Sequence, residues 1–117
     1  MNSEAATIFH SNLYSEIGKE ALNYLHNRGL SDDIIKKFQV GFAINKWDQL
    51  VNFFDKKKIK KDFLVKSGLV SFSDKGTFDR FRSRIMFPIF HVAGKAVAFG
   101  GRSFKINDSA KYLNSPE

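Results

Sequence analysis

The 117-residue sequence contains no cysteine, only two prolines and a single tryptophan. Without cysteine the chain can form no disulfide, thiol nucleophile or Cys-ligated zinc site, and it suits a reducing cytoplasm. No apolar run approaches the ~20 residues that a helix needs to cross a bilayer, so we expect no membrane association. Residues 1–11 contain an acid and no apolar block, which is not the pattern of a signal peptide.

Acidic residues are in the minority, because 19 Lys and Arg oppose 12 Asp and Glu and give a formal net charge of +7. This excess suggests an anionic partner. Asp32 and Asp33 are explained by a helix start, and the other carboxylates form no cluster that would hold magnesium. The histidines lack metal-ligand spacing, and no serine lies in a nucleophile-elbow context. We therefore expect anion binding without a catalytic residue or metal site in this chain.

Length and composition predict one globular domain over residues 1–117, with 43% hydrophobic residues. The thirteen phenylalanines are expected to lie mostly in the core. Helical periodicity dominates the first two-thirds of the chain, and alternating patterns follow. The predicted fold is α+β, with a helical N-terminal two-thirds packed on a small mixed or antiparallel sheet from the C-terminal third.

Four amphipathic helices precede a short fifth one that should end at Gly68. Ser15, Ser31 and Asn45 are candidate N-caps, and Gly29 should end the second helix with a Schellman contact through Leu30. Strands are predicted at 40–43, 70–72, 78–90 and 96–99, with turns or loops at 92–95 and 107–108. The inward positions are Ala5, Ala6, Phe9 and Leu13, then Ile17, Ala21, Leu22 and Leu25, then Ile34, Ile35 and Phe38, then Trp47, Leu50, Val51 and Phe54.

Three arginines alternate with other residues at the centre of the predicted 78–90 strand. Side chains alternate between the faces of a strand, so the arginines should share one face and apolar residues the other. A row of phosphates would satisfy these guanidinium groups, and pairing with acids such as Asp74 and Asp79 is the alternative. The arginines are Arg80, Arg82 and Arg84, and the apolar residues are Phe81, Ile85 and Phe87.

Two later segments could also contact phosphate or bases. The Gly100-Gly101 pair would allow a close backbone approach to a ligand beside Arg102, and a bulge followed by a surface arginine is the alternative. Lys111, Tyr112 and Asn114 offer a cation, a stacking ring and a hydrogen-bonding amide, or simply a surface loop. The lysines between 56 and 61 are expected to form a solvated connection between helices.

Several of these segments resemble, in order, the start of the RNA-polymerase core of bacterial replicative DNA primases of the DnaG type. The matching stretches are YLHNRGLS at 24–31, VGFA at 40–43, WDQL at 47–50, FDRFRSRIMFPI at 78–89, AFGGR at 98–102 and KYLNSPE at 111–117. The resemblance covers nearly the whole chain and implies the N-terminal basic subdomain of that core. The family's zinc-binding module and Toprim subdomain have no counterpart here, and the last residues, 115–117, read as a cut.

The resemblance implies a role in an enzyme that makes RNA primers for DNA replication. It implies contacts with single-stranded template, RNA–DNA heteroduplex and nucleoside triphosphates, while catalytic magnesium would be held by downstream acids of the Toprim subdomain. The replicative helicase would bind through regions absent from this chain, and the setting would be cytoplasmic. The binding positions implied by the resemblance are Arg28, Arg80, Arg82, Arg102, Lys111, Tyr112 and Asn114.

Two other functions stay open from the residues alone. A protein-interaction module would present several phenylalanines in one exposed patch, and its positive charge would be incidental. An independent phosphoryl-transfer enzyme would need magnesium ligands, and the scattered acids speak against it. We therefore expect the isolated chain to be inactive.

Overall fold

A computed structural model of the chain describes residues 2–74, 76–90, 94, 96–103 and 112–114. Helices occupy the first part of the chain and antiparallel strands most of the rest, as the α+β prediction requires. A 3-10 turn at Glu16–Gly18 separates the first two helices. The elements are α1 (Asn2–Leu13), α2 (Lys19–Asn27), α3 (Asp32–Lys37), β1 (Gly41–Ala43), α4 (Gln49–Lys56), α5 (Lys61–Ser67), β2 (Val70–Ser73), β3 (Gly76–Asp79), β4 (Arg84–Phe90), β5 (Ala96–Arg102) and β6 (Tyr112–Asn114).

The predicted end of α2 is confirmed in detail. Gly29 has a φ of 91°, and its N–H donates to the carbonyl oxygen of His26 at 3.0 Å. The N–H of Leu30 donates to the carbonyl oxygen of Leu25 at 3.1 Å. These two bonds are those of a Schellman motif. Because the motif fixes the chain direction after α2, it also fixes where Arg28 leaves the helix.

Of the three predicted N-caps, only Ser31 is confirmed, since its Oγ accepts from the N–H of Ile34 at 3.3 Å. The Ser15 prediction is wrong because its hydroxyl donates back to the carbonyl oxygen of Asn12, and Ile17 in the following turn is 66% exposed. The Asn45 prediction is also wrong because α4 begins only at Gln49. The predicted stripes fail at three further positions, since Ile34, Phe38 and Trp47 are exposed.

The main sheet has the strand order β1-β4-β5-β6, and every pair in it is antiparallel. Strands β2 and β3 form a separate two-stranded sheet, with Val70 paired to Asp79. The single strand predicted over 78–90 is therefore wrong. Two tertiary requirements divide it: Asp79 turns inward to the start of α4, and Phe81 enters the core at 2% exposure. Ser83 then bends the chain, with a φ of 54°.

Two apolar clusters pack on the main sheet. The larger cluster joins α1, α4 and α5 to residues of the sheets, and Phe9, Phe54, Phe81 and Phe99 fill its centre. The smaller cluster joins α2 and α3 to the sheet through Leu25, Ile35, Phe42 and Ile85. Helix α1 contributes to both, which holds the helices and the sheet together as one unit.

The prediction that most phenylalanines lie in the core holds for seven of the twelve that the structure describes, since Phe53 and Phe87 are partly buried against the two clusters beside five buried ones. Phe9, Phe42, Phe54, Phe81 and Phe99 are buried. Phe38, Phe63, Phe72 and Phe90 are exposed, Phe72 by as much as 71%. Within the described residues, no helix is long and apolar enough to cross a membrane.

Candidate nucleic-acid interface

A cation and two aromatic rings are stacked where the end of β3 meets the segment before α4. The rings of Trp47 and Phe78 are nearly parallel, with centroids 4.4 Å apart and an interplanar angle of 27°. The guanidinium carbon of Arg82 lies 4.5 Å from the Trp47 centroid and 5.4 Å from that of Phe78. Trp47 is 46% exposed. An exposed ring backed by a cation can stack on a nucleic-acid base while the cation meets the backbone.

Asp79 fixes the segment that carries Trp47. Its backbone N–H donates to the carbonyl oxygen of Trp47 at 2.7 Å. Its carboxylate accepts from the N–H of Leu50 at 2.9 Å and from the N–H of Val51 at 3.0 Å. The N-cap residue of α4, Asp48, makes no capping bond with its own side chain. The unpaired donors at the start of α4 are therefore satisfied from β3 rather than locally.

Burial governs the ionisation of Asp79, which is only 3% exposed. It raises the pKa of the Asp79 carboxyl to about 6, and the charge of Asp48 acts in the same direction. The two backbone N–H donors favour the charged form and limit the rise. The cost of removing this charge from water exceeds the benefit of its hydrogen bonds.

We expect the free energy of unfolding to be about 1 kcal/mol higher at pH 5 than at pH 7 through Asp79 alone. The pKa of about 6 exceeds the ordinary value of 3.8, so between these values the folded state binds a proton that the unfolded chain lacks. Stability therefore falls as the pH rises through 6. Urea denaturation at both values checks this, and Asp79→Asn should abolish the difference. An equal pH dependence in both proteins would contradict the assignment to Asp79.

A second cluster of cationic residues surrounds a surface depression of about 230 Å³ between α2 and the sheet. Arg28, at the end of α2, and Arg102, at the end of β5, both line it. Arg28 also lies 5.8 Å from the ring centroid of Tyr24. The remaining lining residues are Tyr24, Leu25, Leu30, Ile85 and Phe87. The structure thus brings together two predicted site residues that lie far apart in sequence.

Strand β6 places another predicted segment beside this depression. The backbone of Tyr112 pairs with that of Arg102, and the backbone of Asn114 pairs with that of Gly100. Lys111 lies outside the described residues. The register alone therefore aligns Tyr112 with the arginine that closes β5.

The expectation that Arg80, Arg82 and Arg84 share one face of a strand is wrong, because that strand is broken. Arg80 follows β3, where its backbone N–H donates to Leu69 and its guanidinium carbon lies 5.9 Å from the centroid of Phe81. Arg82 belongs to the aromatic stack, and Arg84 begins β4 opposite Ala43. Phe81 and Ile85 are buried as predicted, while Phe87 is half-buried beside the depression.

The glycine pair at 100–101 lies inside β5, so it neither ends nor bulges the strand there. A side chain at Gly101 would approach the Phe81 ring to 2.8 Å and the Met86 sulfur to 3.2 Å. The close approach permitted by this glycine is therefore to the core of the protein itself. Arg102, which follows the glycine pair, is exposed at the surface.

Three of the arginines have no ionic partner among the residues that the structure describes. Within the described segments, no carboxylate pairs with Arg28, Arg82 or Arg102, whereas Lys57 pairs with Glu4. Asp32 accepts hydrogen bonds from His26 and Tyr14, each at 2.9 Å. These two bonds lower the pKa of Asp32, while burial and Asp32 together raise the pKa of Tyr14 to about 12. The positive potential at the arginines is thus available to an external anion.

Sequence reasoning missed Trp47 as an exposed residue and Phe78 as the half-buried ring beneath it. Trp47 fitted the inner stripe of a helix, and Phe78 fitted a strand continuing through the arginines. One signal was present, because Asp48 is a good N-cap residue directly before Gln49 and would have started α4 after Trp47. The stack itself depends on tertiary contact between segments separated by thirty residues, which periodicity does not report.

Comparison with known proteins identifies the same architecture. Residues 8–117 match the family described as DNA primase catalytic core, N-terminal domain. The DNA primase of Enterococcus faecalis is 44% identical over all of this chain, and that of Escherichia coli K12 is 39% identical over 95% of it. The chain spans only 20% and 19% of the lengths of these two primases.

Solved structures agree with the sequence comparison. The Escherichia coli primase catalytic core superposes with a TM-score of 0.92 at 38% identity, over 99% of this chain and 37% of that one. A DnaG primase catalytic domain bound to single-stranded DNA gives a TM-score of 0.91 at 38% identity, over 98% and 37% of the two chains. Because the family match and the superposition each cover nearly the whole chain, the chain belongs to the DNA primase family, as the N-terminal domain of the catalytic core.

Proposed function

We propose that this chain supplies the cationic binding wall of a primase, the enzyme that synthesises RNA primers for DNA replication. The observation that carries the proposal is the exposed Trp47 ring stacked on Phe78 and Arg82, with no described carboxylate paired to the arginine. Such a surface suits single-stranded nucleic acid, because bases stack on the ring and the guanidinium meets phosphate. A relative of the same fold has a solved structure bound to single-stranded DNA, which supports this assignment.

The depression between Arg28 and Arg102 is proposed to hold phosphate of a nucleoside triphosphate or of an RNA–DNA heteroduplex. Its apolar wall, which includes Phe87, would keep the two guanidinium groups from full hydration. Lys111, Tyr112 and Asn114 are proposed to extend this site, since β6 pairs with the arginine-bearing end of β5. Arg80 is proposed to make a further contact with the nucleic-acid phosphate backbone, next to the aromatic stack.

The described residues do not provide a magnesium site. Nowhere in the described ranges do three His, Asp or Glu side chains lie close enough to hold a metal ion. We propose that catalytic magnesium is held by acids of the Toprim subdomain beyond this chain, that the replicative helicase binds elsewhere in the full primase, and that the enzyme works in the cytoplasm. Alone, this chain would bind and orient phosphates without catalysing nucleotidyl transfer.

The proposed function predicts salt-sensitive binding of a labelled single-stranded oligonucleotide. The logarithm of the affinity should fall linearly with the logarithm of salt concentration, and Arg82→Ala should reduce the slope by roughly 0.7. Arg80→Ala and Lys111→Ala should act similarly. Fluorescence anisotropy over a salt series measures this, with Lys37→Ala on the exposed end of α3 as the charge-matched control. Salt-independent binding, or unchanged binding in the arginine and lysine variants, would count against the proposal.

A protein-interaction role is the second candidate, and one groove favours it. The groove has a volume of about 480 Å³ and is lined by Asp62, Val65, Lys66 and Phe72. Its occupant would be another part of the primase polypeptide, since this chain spans about one fifth of the relatives. Two results together would favour this role. Crosslinking to the remainder of a primase would persist in Arg82→Glu, and the wild type would bind no oligonucleotide.

A further inference from the structure

We infer that Asp79 is a positioning residue for nucleic-acid binding, because it locks Trp47 into the stack with Phe78 and Arg82. The effect on nucleic-acid affinity rests on the proposed function, whereas the restraint of Trp47 by Asp79 rests on the geometry alone. Asp79 itself is buried, so it would act on the ligand only through Trp47 and Arg82.

Three hydrogen bonds make the connection. The Asp79 N–H holds the carbonyl of Trp47 itself, and the Asp79 carboxylate holds the N–H groups of Leu50 and Val51 in the first turn of α4. Phe78, the residue before Asp79, supplies the ring on which Trp47 lies. One short stretch of β3 thus fixes both the backbone and the ring of Trp47.

The position of this cap argues for positioning over simple stabilisation. A helix start is normally satisfied by its own N-cap residue, and Asp48 stands at that place with a side chain able to cap. Using a buried carboxylate from another element adds a desolvation cost that a local cap would avoid. What the distant cap adds is a fixed relation between β3 and α4.

The buried face of α4 makes that relation rigid. Leu50 and Phe54 are 2% and 0% exposed in the larger apolar cluster, so the helix cannot shift independently. Without the Asp79 carboxylate, β3 would lose both of its side-chain bonds to the first turn of α4 and keep the backbone bond from the Asp79 N–H to Trp47. The indole could then leave the Phe78 ring and lose its alignment with Arg82.

The first test uses Trp47 as a spectroscopic reporter, because it is the only tryptophan in the sequence. In Asp79→Asn without DNA, acrylamide should quench the indole about twofold more efficiently than in the wild type. Asp48→Asn is the matched control, since it makes the same change one residue before α4 without losing a side-chain cap. Equal quenching in the wild type and Asp79→Asn would overturn the inference.

The second test is a double-mutant cycle on oligonucleotide affinity with Asp79→Asn and Trp47→Leu. Each single change should weaken binding about tenfold, and the double variant should bind little worse than either. Additive losses would overturn the inference, because a merely structural Asp79 would act independently of the ring. Circular dichroism of each variant confirms folding. If Asp79→Asn unfolds, Asp79→Glu replaces it in both tests. A wild type that binds no oligonucleotide would overturn the proposed function, while the quenching test would still decide the role of Asp79.

Discussion

Gly41→Ala should lower the free energy of unfolding by about 3 kcal/mol, the upper part of the range for an overpacked core. A Cβ atom at this position would lie 2.4 Å from the carbonyl carbon of Phe9 and 2.7 Å from the backbone nitrogen of His10. Both obstacles are backbone atoms of α1, so no side-chain rotation can relieve the collision. Helix α1 would have to move away from β1, although its Phe9 side chain belongs to the larger apolar cluster.

Gly29→Ala is the matched control, because it separates collision from backbone strain. Nothing lies within 4 Å of a Cβ at Gly29, but its φ of 91° is one that alanine adopts only with strain. That variant should lose about 1 kcal/mol. Urea denaturation of both variants measures the difference. If Gly41→Ala loses no more than Gly29→Ala, α1 is not seated against β1 as described.

Local sequence signals predicted the features of this fold that depend on neighbouring residues. The stop of α2 at Gly29, the cap of α3 at Ser31 and the end of α5 at Gly68 all follow from chemistry within a few positions. The buried face of α1 follows from helical spacing. Each involves groups close along the chain, although the same kind of local signal failed at Ser15 and Asn45.

The errors at the candidate site share a physical cause, which is competition from tertiary contacts. The alternation of arginines and apolar residues after Phe78 fits a strand, yet the chain breaks because Asp79 caps a helix nearly thirty residues earlier. Trp47 fits a buried stripe, yet it faces outward where Phe78 and Arg82 stack on it. The candidate site was therefore predictable as a set of cations, but its arrangement as one stack and one depression was not.

The depression between Arg28 and Arg102 makes the second strong prediction. Two guanidinium groups at one site can bind a triphosphate tail through charge-assisted hydrogen bonds, each stronger than a neutral one. Losing both groups should remove about 3 kcal/mol of binding free energy, or roughly a hundredfold in affinity. Losing either alone should cost about tenfold, because the remaining arginine still meets a phosphate.

This is tested by titrating the wild type, Arg28→Gln, Arg102→Gln and the double variant with a fluorescent ATP analogue at constant ionic strength. Lys36→Gln with Lys37→Gln, on the exposed last turn of α3, removes the same charge and serves as the control. Because screened long-range attraction depends on net charge, any general effect should appear equally in both double variants. A loss of affinity confined to the arginine pair assigns the phosphate to the depression. Equal losses of affinity in the two double variants would show that the arginines act only through net surface charge.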